Sequence, residues 1–108
     1  KHSLAQIDVQ LKKRADLVPS LVKVVKGYAR HESKIMTEVT KARAALLRGD
    51  NIQKRVKAGD NLQNALKSIF AIAENYPQLK ANENFLHLQR ELAAIEDKVA
   101  YARQFYND

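Results

Sequence analysis

The chain has 108 residues, with neither cysteine nor tryptophan, and its 19 Lys+Arg against 12 Asp+Glu give a formal net charge of +7. Disulfide frameworks, thiolate zinc sites and cysteine nucleophiles are excluded for want of sulfur, and the length fits one small domain over 1–108. Two prolines, three glycines and 45% hydrophobic residues argue against disorder or a turn-rich all-β domain, and no apolar run approaches the ~18–20 residues that span a bilayer.

The first predicted element is a heptad stripe. Leu4, Leu11, Val18, Val25, Glu32, Val39 and Leu46 recur every seven residues, and Ile7, Arg14, Leu21, Tyr28, Ile35 and Ala42 interleave with them. All but Glu32 and Arg14 are apolar, which is the seam of a helix lying along near-parallel neighbours. The dense β-branched run Val18, Val22, Val24, Val25 does not make a strand, because the seven-residue repeat flanks it on both sides. Since the phase persists, one axis is predicted from about Ser3 to Leu47, some 65–70 Å at about 1.5 Å per residue. Pro19 lacks an N–H and crowds the carbonyl of Ala15, so a kink or break is expected near 16–19, with a second weak point at 27–31. A first segment broken near Pro19 and folding on itself gives four helices, an unbroken one three with an overhang.

Arg48-Gly49-Asp50-Asn51 interrupts the stripe. Gly49 is expected in the left-handed conformation that ends helices, with Asp50 or Asn51 capping the next helix. Gly59-Asp60-Asn61 is a second candidate start, and residues 50–58 fit either an extra turn or a loop. From Leu62 the stripe is firm through Leu66, Ile69, Ala73 and Tyr76. Tyr76-Pro77 stops it, because proline drives its predecessor out of the helical region. The last stripe is Phe85, Leu88, Leu92, Ile95, Val99, Ala102 and Tyr106, with Asn82 or Asn84 as its cap and Glu83 near the positive end of the helix dipole. It fades at Asn107-Asp108. Short connections predict antiparallel neighbours, hence an all-α, up-and-down bundle of four helices.

The charge is lopsided. Residues 1–48 hold eleven cations against four carboxylates, while 49–77 sum to +1 and 78–108 to −1. Eight of those eleven, Lys12, Lys13, Lys23, Lys26, Arg30, Lys34, Lys41 and Arg48, fall at positions facing away from the seam. They are either a solvated face or a footprint for an anionic surface, with Lys12, Lys13, Arg14, Lys23, Lys26 and Arg30 as candidate contacts. Nucleic acid is the weaker alternative, because no aromatics interleave with the cations for stacking.

Candidate chemistry is sparse. His31-Glu32 lacks a second histidine four residues on, since Ile35 stands there. Glu83 and His87 do not supply the Glu-x-x-His pairs of a di-iron bundle. Glu32, polar in an apolar seam, calls for a Lys or Arg across the bundle. The four serines lack a nucleophile elbow, and Arg48-Gly49-Asp50, although it spells an integrin-binding tripeptide, reads as a helix stop. No catalytic residue, metal site or cofactor is expected.

A series of motifs carries a resemblance: Ile7-Asp8-Val9-Gln10-Leu11-Lys12-Lys13-Arg14-Ala15-Asp16-Leu17-Val18-Pro19, then Val25-Lys26-Gly27-Tyr28-Ala29, then Ala73-Glu74-Asn75-Tyr76-Pro77-Gln78-Leu79-Lys80-Ala81-Asn82-Glu83-Asn84-Phe85, and finally Ala102-Arg103-Gln104-Phe105-Tyr106. Over essentially the whole chain this resembles the bacterial LemA family. The resemblance implies a four-helix bundle attached to the bacterial cell envelope by an N-terminal transmembrane helix, with no agreed biochemical activity. Lys1-His2-Ser3 stands roughly where that membrane segment would end. The expected function is thus a non-enzymatic, membrane-tethered scaffold that binds a protein partner or itself, with a basic nucleic-acid-binding protein as the alternative. Tyr76, Pro77, Asn82, Glu83, Asn84 and Phe85 form either a partner surface at one end of the bundle or, by preference, a cap and loop anchor for the last helix.

Overall fold

A computed structural model describes residues 2–106, and among them every regular element is a helix: α1 (His2–Lys26), α2 (Ser33–Arg48), α3 (Ile52–Ala73), the short α4 (Pro77–Lys80) and α5 (Glu83–Tyr106). The side chain of Tyr106 and the residues Asn107 and Asp108 lie outside the described part.

Four long helices run up and down. Arg43, late in α2, reaches the middle of α1 at Ala15. Asp8 and Arg55 meet near the starts of α1 and α3, and Arg103, late in α5, meets Asp60 in α3. So α1 and α3 point one way, and α2 and α5 the other. The stripes close on one core, with Ile7, Leu11, Val18, Leu21 and Val25 of α1 against Met36, Val39 and Leu46 of α2, Leu62, Leu66 and Ile69 of α3, and Leu88, Leu92, Ile95 and Val99 of α5. Each such side chain taken fully from water contributes about 1.5–3 kcal/mol.

The break in the first segment falls at the second weak point, 27–32, and α1 passes through Pro19 as one helix. The chain reverses there through a turn in which Gly27 N–H donates to Val24 O at 3.1 Å and Ala29 N–H to Val25 O at 2.8 Å. A molecule 43 Å in its longest dimension has no room for one axis of 65–70 Å. The heptad phase survives because the connection is nearly one heptad long, so the chain turns back with its stripe still facing the core. Pro19 is tolerated for a specific reason. The carbonyl it leaves without a partner four residues earlier, that of Ala15, accepts from Arg43 Nε at 2.8 Å.

Two further expectations change, at Gly49 and at Gly59-Asp60-Asn61, and the open choice over 50–58 closes in favour of helix from Ile52. Gly49 is extended, at φ −59 and ψ 126, and no described residue has a positive φ. Its carbonyl accepts from Arg55 Nη1 at 3.1 Å, so an arginine replaces the left-handed turn as the helix stop. Asn51 caps α3, its Oδ1 accepting from the N–H of Lys54 at 2.9 Å, so 52–58 is helix. Gly59-Asp60-Asn61 is therefore helix interior. Gly59 is buried against α1, where a Cβ would come within 2.5 Å of Leu11 Cδ2. Its missing side chain is what lets the two helices approach.

The bond from Arg43 to Ala15 can be weighed by mutation. Arg43→Ala should cost about 1–2 kcal/mol in urea denaturation. In a Pro19→Ala background, where the new N–H satisfies the Ala15 carbonyl, most of that cost should vanish. Equal costs in both backgrounds would show that the bond to Ala15 is not what Arg43 contributes.

Candidate functional site

The eight cations expected to face outward, Lys12, Lys13, Lys23, Lys26, Arg30, Lys34, Lys41 and Arg48, are all exposed on the α1–α2 side of the bundle and its connecting turn. Lys12 pairs with Asp16 at 3.0 Å, both well solvated, and among the described residues the other seven have no carboxylate within ion-pair distance. An exposed pair one turn apart is worth only a few tenths of a kcal/mol and leaves Lys12 free to exchange partners. Lys23 and Lys26 stand in the last turn of α1, where the dipole favours positive charge.

Arg14 does not belong to this face. It is fully buried, donating Nη1 to Gly59 O at 2.9 Å and Nη2 to the carboxylate of Glu96. Burial pulls its pKa down, while the attraction of Glu96 and, more weakly, of Asp60 works the other way. The guanidinium stays charged at any ordinary pH. Its place in the heptad seam was the signal that it turns inward. The partners Glu96 and Asp60 carried no signal, because Glu96 only flanks the α5 stripe and Asp60 belonged to an expected helix start.

The second candidate group gathers where the 27–32 and 74–82 connections meet. α4 begins at Pro77, whose fixed φ and missing donor suit a first turn, and its Leu79 is fully buried. Asn82 performs two tasks. Its Oδ1 accepts from the N–H of Phe85 at 3.0 Å, starting α5, and its Nδ2 donates to the Tyr28 hydroxyl at 3.0 Å. Tyr28, expected in the seam, is instead 40% exposed. Phe85 is buried and packs edge-on against Phe70 at a centroid distance of 5.9 Å, so it serves the core and is out of a partner's reach. Pro77, Glu83 and Asn84 are exposed.

Glu32 finds a tyrosine where a cation was expected. The Tyr76 hydroxyl donates to Glu32 Oε2 at 2.9 Å, tying the first connection to the end of α3. That bond is the largest cause of a raised Tyr76 pKa, since losing the proton would set a phenolate beside a carboxylate, and partial burial adds to it. The two candidate sets meet in one open groove of about 530 Å³ between α1 and α5, lined by Ser20, Lys23, Tyr28, Asn82, Asn84 and His87. Lys23 comes from the basic face and Asn82 and Asn84 from the loop motif. Among the described residues, no cluster of three or more His, Asp or Glu could hold a metal.

The sequence model of the LemA family matches residues 3–108, and the chain belongs to that family. No curated protein matches it at a significant level.

Two outcomes check this geometry. A raised folded-state pKa means that the Tyr76–Glu32 contribution is present below pH 10 and lost as pH climbs through the folded value. Tyr76→Phe should therefore flatten the alkaline decline in stability. In the core, Glu96→Ala should cost about 3 kcal/mol by stranding a buried guanidinium, and Arg14→Met, which removes the charge, less than half as much. Equal losses from those two substitutions would show that shape rather than charge pairing matters there.

Proposed function

We propose that this LemA-family bundle is a non-enzymatic interaction scaffold, tethered to the membrane of the bacterial cell envelope by a segment preceding Lys1, and that the outer face of α1 and α2 receives an acidic protein partner. The observation that carries the reading is the exposed basic face itself, with seven cations that have no ion-pair partner among the described residues. Around Lys23, Lys26, Arg30, Lys34 and Lys41 the exposed neighbours are mostly small or polar, Ser20, Ser33, Thr37, Glu38 and Thr40, with the Tyr28 ring among them. Such a face offers charge complementarity, which sets partner choice and encounter rate more than raw affinity. Family membership and the motif resemblance support the tether. Among the described residues no helix is long and apolar enough to cross a membrane.

The test uses the full-length, membrane-anchored protein with a photo-crosslinking residue at Lys34 on the basic face or at the exposed Lys67 on α3. A protein adduct is expected from position 34 only, diminished by high salt and by Lys23→Glu/Lys26→Glu/Arg30→Glu. Equal adducts from both positions would remove the basic face from the proposal. A mobility shift of nucleic acid with a steep salt dependence would replace the acidic protein with the nucleic-acid reading.

A further inference from the structure

Among the described residues five large hydrophobic side chains are well exposed, and four of them, Val9, Leu47, Tyr101 and Phe105, belong to one end of the bundle, where α1 and α3 begin and α2 and α5 finish. Each lies within about 10 Å of its helix terminus at 1.5 Å per residue. Tyr28 stands alone at the other end. Val9 and Leu47 share an open groove of about 560 Å³ with Leu11, Leu46 and the stems of Lys12 and Lys13. Around α1 from that groove, Tyr101 lines a second one with Gln6, Gln10 and Lys98, and its ring meets Phe105 edge-on at 5.3 Å. Neither aromatic is needed for the core, and a folded chain gains nothing by holding both in water.

The charges at this end select the occupant. Asp8 is taken by Arg55, Asp50 by Lys54 and Asp60 by Arg103. Among the described residues, Arg48, Lys57 and Lys98 at this end are left without an ion pair, against the single carboxylate of Asp97. A second copy would bring the same excess of cations against itself. An anionic bilayer surface complements it, because phenolic and phenyl rings settle at headgroup depth and lysines and arginines reach the phosphates around them.

We propose that this end of the bundle is a lipid seat. Tyr101, Phe105, Val9 and Leu47 enter the interface of an anionic membrane, ringed by Arg48, Lys57 and Lys98. The part of the basic face from Lys23 to Lys41 then stands away from the bilayer, open to a partner. This goes beyond the scaffold reading and does not need the tether, since the seat belongs to the bundle itself.

The chain contains no tryptophan, so single Phe105→Trp and Tyr28→Trp reporters give clean signals from the two ends. On adding vesicles of phosphatidylglycerol and phosphatidylcholine, emission from the Phe105→Trp protein should shift to the blue, and emission from the Tyr28→Trp protein should not. Vesicles of phosphatidylcholine alone should shift neither. Tyr101→Ser/Phe105→Ser should weaken vesicle binding about tenfold or more, with circular dichroism unchanged, and Val9→Ser/Leu47→Ser should weaken it in the same direction. Lys23→Ser/Lys26→Ser/Arg30→Ser should leave it within about twofold. A shift at both reporters, or at neither, overturns the seat while leaving the basic-face crosslink intact. A blue shift of the Phe105→Trp protein that grows with protein concentration without lipid also overturns it, in favour of a second copy.

Discussion

Two consecutive residues near the middle of α1 hold polar bonds to all three of the other long helices. Arg14 donates to Glu96 on α5 and to the Gly59 carbonyl on α3, and the carbonyl of Ala15 accepts from Arg43 on α2. Apolar packing alone tolerates sliding by a turn, because one leucine fits a gap much as the next does. A buried guanidinium does not slide, since its donors would lose their acceptors in a medium where unpaired charge is costly. The register of the bundle is therefore set in one layer, and the stripes above and below fall in with it.

That layer depends on small concessions elsewhere. Gly59 gives up helix propensity so that α3 can approach Leu11 and offer its carbonyl to Arg14. Pro19 withdraws a donor, and Arg43 supplies the replacement from another helix. Away from this layer the two ends are closed differently. One is clasped by hydroxyl and amide donors, Tyr76 to Glu32 and Asn82 to Tyr28. The other is clasped by charge, Arg55 bridging Asp8 and the Gly49 carbonyl. Arg55 is held firmly protonated by its bond to Asp8.

With Arg14, Arg43 and Arg55 engaged inside the bundle, the remaining cations are free to act outward. Eight of them lie on α1, α2 and the turn between, while four of the five large hydrophobic groups exposed among the described residues collect at one end. Charge without grease suits a polar partner, and grease ringed by charge suits a membrane interface. The separation of these two surfaces on one rigid bundle is what makes a bridging role physically coherent.

The amino-acid pattern by itself determined the helical class, most of the seam residues, the outward turn of eight cations and a cap at Asn82 or Asn84, since each follows from helix periodicity or local backbone geometry. Family identity was likewise readable from contiguous motifs. Periodicity could not say where the first segment turns back, because a six-residue reversal keeps the heptad phase almost as well as a continuous axis. Nor could it tell that Arg14 meets Glu96, that Glu32 meets Tyr76, or that Val9, Leu47, Tyr101 and Phe105 share one end. The first two pairings join residues 82 and 44 positions apart. Only the packing of helices against one another, by fixing which turn of each lies beside which, decides them.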